Sequence, residues 1–315
     1  MSASPGTAAV RTRGLTKRYG PVTVVDNLDL AVPSGSVYGF LGPNGSGKTT
    51  TLRMLLGLVA ATAGEAHVLG RAVPASSAAV LPRVGALIEG PAFHPDLSAR
   101  ANLARVDIAD PSASRRDRPA RIESALERVG LSGVGRRRVR AYSSGMTQRL
   151  GLAATLLRPR ELVVLDEPTN ALDPQGTHLV RDLVQEWHAD GVTVLLSSHL
   201  LAEVSRLCTH LGVLARGRLV AQGPLADVVG APRLVLQTPD VGAALPVLAA
   251  AGLAAVVERQ GRLVAPLSGA AGEVVAGLTP SLVAAGVRIE SISGEQPGVE
   301  EAYVALTGRD GTDVG

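Results

Sequence analysis

The segment GPNGSGKTT, Gly42 to Thr50, has the residue types and spacing that hold a phosphate. It fits G-x-x-x-x-G-K-[ST]. Its glycines let main-chain N–H groups converge on phosphate oxygens, and a helix starting here adds positive potential at its N-terminus. Gly42, Pro43, Asn44, Gly45, Ser46, Gly47, Lys48, Thr49 and Thr50 form the expected nucleotide cradle. Lys48 is expected to reach the β- and γ-phosphates, and Thr49 to hold Mg²⁺.

A matching acid pair closes ELVVLDEP, residues 161–168. Asp166 is expected to bind Mg²⁺ directly or through water. Glu167 is expected to orient and polarise a water attacking the γ-phosphate. Read alone, such a pair is more often two solvated carboxylates at a strand end. Beside a phosphate loop on the same sheet, it reads as ATP hydrolysis chemistry.

A second small-residue turn, YSSGMTQRL, residues 142–150, also suits a phosphate. Ser143 offers a hydroxyl, Gly145 an approachable main chain, and the helix that follows points its dipole at an anion. Alone, it reads as an ordinary serine-capped helix.

The elements that position these groups follow from hydrophobic pattern. Residues 9–40 read as short β segments running into the glycine loop. A helix is expected from Lys48 to about Val59, with Leu52, Leu55, Leu56 and Val59 on one face. Residues 90–160 read as mainly helical, broken by the polar stretch ADPSASRRDRP. The continuous apolar run at 161–166 suits a strand buried on both faces of a parallel sheet, and VTVLLSSH suits another. A helix over about 175–189 joins them, so strands and helices alternate as in a parallel α/β sheet.

After about Pro224 the pattern changes. RLVLQT, AAVVERQ, GRLVAPL and VRIESIS (287–293) read as strands, with helices at 241–251 and 270–285. The order βαββαβ predicts a small ferredoxin-like α+β domain. The expected domains are 1–224 and 225–315, with a closing helix in GVEEAYVALTG.

Composition limits the function. The 315 residues are 46% hydrophobic, enough for one large domain or two ordinary ones with real cores. One cysteine, Cys208, rules out an internal disulfide framework. A net charge of +3 and 2% aromatics argue against nucleic-acid binding and base stacking. The arginine runs at 115–118 and 135–140 read as solvated faces. The longest apolar run, 241–257, is short for a span and holds Pro246 and Gly252. Lysine occurs only at Lys17 and Lys48 among many arginines, which marks Lys48 as chemically required.

The order of phosphate loop, helical insert, YSSGMTQRL, LVVLDEPTNALD and LLSSH resembles the ATP-binding subunits of ABC (ATP-binding cassette) transporters over roughly residues 8–224. The resemblance implies a P-loop NTPase cassette with a RecA-like core, an antiparallel β subdomain and a helical subdomain. It implies two cassettes meeting head to tail, each ATP held between one chain's phosphate loop and the other's Ser143–Ser144–Gly145 turn. Tyr19 looks like the residue stacking on adenine, His199 like the catalytic switch histidine, and Asp173, in NALD, like the segment crossing the interface.

Two segments depart from the family pattern. Ser144 and Met146 stand where the signature carries glycine and glutamine. Glu89 stands where a glutamine senses Mg²⁺; a glutamate can still ligate a cation, but adds negative charge beside the phosphates. ALIEGPAFHPDLSARANL and the tail PGVEEAYVALTG resemble the bacitracin- and daunorubicin-resistance exporters. In that group the cassette works with a separate membrane permease, from the cytoplasmic side. The loop from Glu89 to Leu97, with Pro91, Phe93 and Pro95, is the region expected to dock it. A homodimer is expected and nucleic acid is not. The rival reading is a soluble ABC ATPase acting on ribosomes or nucleic acid.

Overall fold

A computed structural model of the chain describes residues 8–90, 92–109, 114–198, 200–258, 261–267 and 271–308. His199 and Pro91 lie outside them. The chain parts into two compact units at Gly223 and Pro224.

The first unit contains two sheets. One has strand order Val22–Leu28, Ala8–Tyr19, Ala63–Val68, Arg71–Val73, with Ala31–Pro33 also on Ala8–Tyr19. Its pairings are antiparallel. The other runs Arg218–Pro224, His210–Ala215, Val37–Leu41, Thr193–Ser198, Leu162–Asp166, Val84–Leu87. From His210–Ala215 to Val84–Leu87 every pairing is parallel. Val37–Leu41, Leu162–Asp166 and Thr193–Ser198 are buried along their whole length, as expected for strands covered on both faces.

The helix Lys48–Leu55 contributes Leu52, Met54 and Leu55 to one core shared by both sheets: Val10 and Val25 come from the first, Phe40, Val164 and Leu195 from the second. It stops at Leu55 rather than near Val59, because the chain turns at Gly57, whose φ of 69° is left-handed. The strands Ala63–Val68, Arg71–Val73 and Val84–Leu87 were not expected from sequence.

The helical insert comprises Ala99–Ile108, Arg118–Arg128 and Ser144–Thr155. Leu103, Ile122, Leu126 and Leu150 are among its buried residues. Asp107, with no exposed side-chain surface, is held by Arg118 at 2.8 Å and Arg121 at 2.9 Å. Burial alone would raise its carboxyl, but Arg118 and Arg121, with Arg158 at 3.8 Å, outweigh it and hold it below the ordinary range.

The second unit has a sheet in the order Val256–Val257, Arg262–Pro266, Arg233–Gln237, Ser291–Glu295, with antiparallel neighbours. Helices Val241–Ala250 and Ala271–Ala284 complete the βαββαβ path of a ferredoxin-like fold. Leu234 and Leu236 enter the core with Leu248, Leu263 and Leu282. The last strand starts at Ser291, later than the expected 287, because the Arg288 N–H and guanidinium both bind Asp240. The closing helix is Val299–Thr307; its Glu301 accepts from Arg233 at 2.6 Å.

Candidate functional site

Parallel register brings the chemistry to one edge of the six-stranded sheet. Leu41 pairs with Ser198, and Asp166 with Ser197. The three strands therefore deliver the phosphate loop, the acid pair and Ser197 together at their carboxyl ends. Open α/β sheets bind ligands in that crevice.

The phosphate loop is shaped by its glycines. Gly47, at φ 101°, caps the helix Lys48–Leu55, and a Cβ there would stand 2.6 Å from the Val24 carbonyl oxygen. A Cβ on Gly42 would stand 2.5 Å from the Leu214 carbonyl and from Ser46 Oγ. Ser46 Oγ is buried without a hydrogen-bond partner. An orphaned hydroxyl inside a glycine cradle at a helix N-terminus fits an anionic ligand.

Lys48 is 6% exposed and donates through Nζ to the Gly42 carbonyl at 2.6 Å and the Pro43 carbonyl at 3.3 Å. Burial pulls its ammonium below the usual lysine range, while Glu167 and Asp166 oppose that shift. Its Nζ stands 3.7 Å from Glu167 Oε1.

Thr49 Oγ1 donates to Asp166 Oδ2 at 2.7 Å, joining residues 117 positions apart. Ser197 Oγ donates to Asp166 Oδ1 at 2.6 Å and accepts from the Glu167 N–H at 2.9 Å. Sequence reasoning missed Ser197, which orients both acids. Glu167 has φ 46°, a left-handed conformation that non-glycine residues seldom adopt. Such strain clusters at functional sites.

Ser143 Oγ caps Ser144–Thr155 by accepting from the Met146 N–H at 3.2 Å. Gly145 lies against the segment that follows the acid pair: a Cβ on it would be 3.0 Å from the Ala171 carbonyl. Asp173 caps Pro174–Ala189 by accepting from the Gly176 N–H at 2.7 Å, and pairs with Arg149 at 2.7 Å. Its carboxyl sits below the ordinary range, owing first to the Gly176 N–H and then to Arg149. Buried Gln148, one residue before Arg149, donates to the Pro168 carbonyl at 3.1 Å. The turn and the acid pair are thus tied twice. Sequence reasoning missed Gln148, whose partner is remote in the chain.

Glu89 lines one open cleft with Tyr142, Ser144, Gln148, Asp166 and Glu167. Its carboxylate pairs with Arg53, in the helix after the phosphate loop. No group of three or more His, Cys, Asp or Glu side chains positioned for a metal exists among the described residues. The donors offered to a cation at the sheet edge are the Thr49 hydroxyl and the Asp166 carboxylate. Tyr19, 48% exposed, carries Lys17 Nζ 4.8 Å from its ring centroid; Lys17 also donates to the Ala60 carbonyl.

Phe93 and Pro95 line a separate groove with His94, Arg105 and Val106. Buried Asn102 shapes that loop: it accepts from the His94 N–H at 2.8 Å and donates to the His94 and Ser98 carbonyls at 3.1 Å each. No helix among the described residues is long and apolar enough to cross a membrane.

The family model described as ABC transporter matches residues 25–170. A daunorubicin resistance ATP-binding protein of Streptomyces coeruleorubidus is 37% identical over 308 residues, covering 96% of each chain. A bacitracin transport ATP-binding protein of Bacillus licheniformis is 40% identical, over 68% of this chain and 69% of that one. Among solved structures, an ATP binding subunit of an ABC transporter superposes with TM-score 0.65 at 26% identity, covering 70% of this chain and 92% of that chain.

Proposed function

This chain belongs to the ABC transporter family, and we propose that it is the ATP-hydrolysing subunit of a drug exporter, powering a separate membrane permease. The observation carrying this reading is the Thr49–Asp166 hydrogen bond beside buried Lys48. It joins the phosphate loop to the acid pair at one strand edge. That edge, with its glycine cradle, suits ATP. Both units of the chain match the daunorubicin resistance relative, which favours the exporter over a soluble ATPase acting on ribosomes or nucleic acid.

The Thr49 hydroxyl and Asp166 carboxylate are hard oxygen donors that fit Mg²⁺. When bound there, the ion neutralises charge on the phosphoryl oxygens. Lys48 binds the terminal phosphates, and Glu167, whose main-chain N–H donates to Ser197 Oγ, orients the attacking water. Tyr19 stacks on adenine, displacing its contact with Lys17. Two chains close head to tail, so that Ser143, Ser144 and Gly145 of one face the phosphates held by the other. Helix geometry supports this part: the Met146 N–H is taken by Ser143 Oγ, and the Ser144 and Gly145 N–H groups ahead of it have no intrahelical acceptors.

We place the cassette at 1–224 and the accessory domain at 225–315. The groove at Phe93 and Pro95 takes the permease, which holds the chain on the cytoplasmic face of the membrane. The test is capture of tagged Glu167→Gln chain from gently solubilised native cells with ATP present, followed by mass spectrometry. A stoichiometric polytopic membrane protein is expected. Ribosomes or nucleic acid without a membrane protein would overturn the reading.

A further inference from the structure

We propose that Arg53 is the counter-charge that lets this chain carry a carboxylate at position 89 in the cleft Glu89 shares with Asp166 and Glu167. The proposal rests on the ATP-binding reading above and assigns a positioning residue to it.

Arg53 lies four residues after Thr49 in the helix Lys48–Leu55. That spacing puts both on one helical face, one turn apart. Thr49 meets Asp166 from this face, and Arg53 meets Glu89. Glu89, Asp166 and Glu167 line one cleft, and Asp166 is bonded to Thr49 of the phosphate loop, so a phosphate held by that loop has three carboxylates beside it. Lys48 stands near Glu167, and Arg53 answers Glu89. Glu89 has φ 52°, and Gly90 after it φ 79°. The main chain is thus held left-handed where the carboxylate is presented, and the guanidinium is the partner found for it there.

The two side chains keep 37% and 46% of their surface. Their charges are therefore screened by salt, whereas a packing role would not be. Remove Arg53, and Glu89 repels the ligand; remove Glu89 as well, and the repulsion goes.

The experiment measures binding of a fluorescent ATP analogue to the full chain, with Mg²⁺ and with chelator, at low and high salt. The chains are the parent, Arg53→Gln and Arg53→Gln/Glu89→Gln. Arg53→Gln is expected to weaken binding about five- to tenfold at low salt and less at high salt. The double variant is expected to return to within about twofold of the parent. A double variant as weak as Arg53→Gln, or a single variant equal to the parent, would overturn the proposal. If Arg53→Gln melts early, Arg53→Lys takes its place and must bind like the parent; a loss there overturns the charge argument. A parent chain that binds no nucleotide would refute the ATP reading instead.

Discussion

Gln148 Nε2 donates to the Pro168 carbonyl at 3.1 Å, so the helix behind the Ser143 turn grips the residue directly after Glu167. Leucine there leaves a buried carbonyl unsatisfied, costing about 1–3 kcal/mol. It also frees the segment that aims Glu167. Gln148→Leu is expected to lower steady-state phosphate release about tenfold while ATP affinity moves less. An equal fall in both would place Gln148 in binding instead.

Gly47 combines φ 101° with a carbonyl 2.6 Å from any added Cβ. Gly47→Ala therefore has to distort the phosphate loop, at about 1–3 kcal/mol for the conformation alone. It is expected to abolish ATP binding in a fluorescence titration. Gly20, in open space at φ 56°, is the control: Gly20→Ala should cost about 1 kcal/mol and keep binding.

Asp107 is a buried anion held closely by Arg118 and Arg121, with Arg158 at 3.8 Å. Removing one partner of such a group costs about 3–5 kcal/mol. Arg118 and Arg121 keep about a fifth of their surface, which puts Asp107→Asn near the low end, about 3 kcal/mol. A lowered urea midpoint for the first unit, followed by Trp187 fluorescence, checks this.

Asp240 is held at a pKa of about 2, chiefly by the Arg288 side chain and then by the Arg288 N–H. An unfolded aspartate titrates near about 4. The folded value is the lower one, so the stabilisation is present above about pH 4 and is lost as pH falls toward 2. Amide protection in Arg233–Gln237, taken relative to the intrinsic exchange rate at each pH, is expected to fall across that window in the parent more than in Asp240→Asn. Parallel profiles would contradict it.

The phosphate loop and acid strand were legible because each is local. Nine consecutive residues specify the cradle, and LVVLD is apolar until its last position. The βαββαβ order of the second unit was legible from alternating periods. AGEAHV was not read as a strand, since it lacks β-branched residues until its end; its pairing with Ala8–Tyr19 supplies what propensity does not. Ser197 looks like a core serine in an apolar run, and only the register Asp166↔Ser197 reveals its partner. Arg53 and Gln148 escaped for the same reason: a polar residue on a helix does not announce a partner 36 or 20 residues away.

The role of Glu167 is tested by phosphate release from the Glu167→Gln chain, measured beside the parent with nucleotide occupancy followed in the same samples. Release at least about a hundredfold slower with ATP still bound is expected, because the amide cannot polarise the water. Release at the parent rate would contradict the role given to Glu167, and with it the chemistry assigned to this sheet edge.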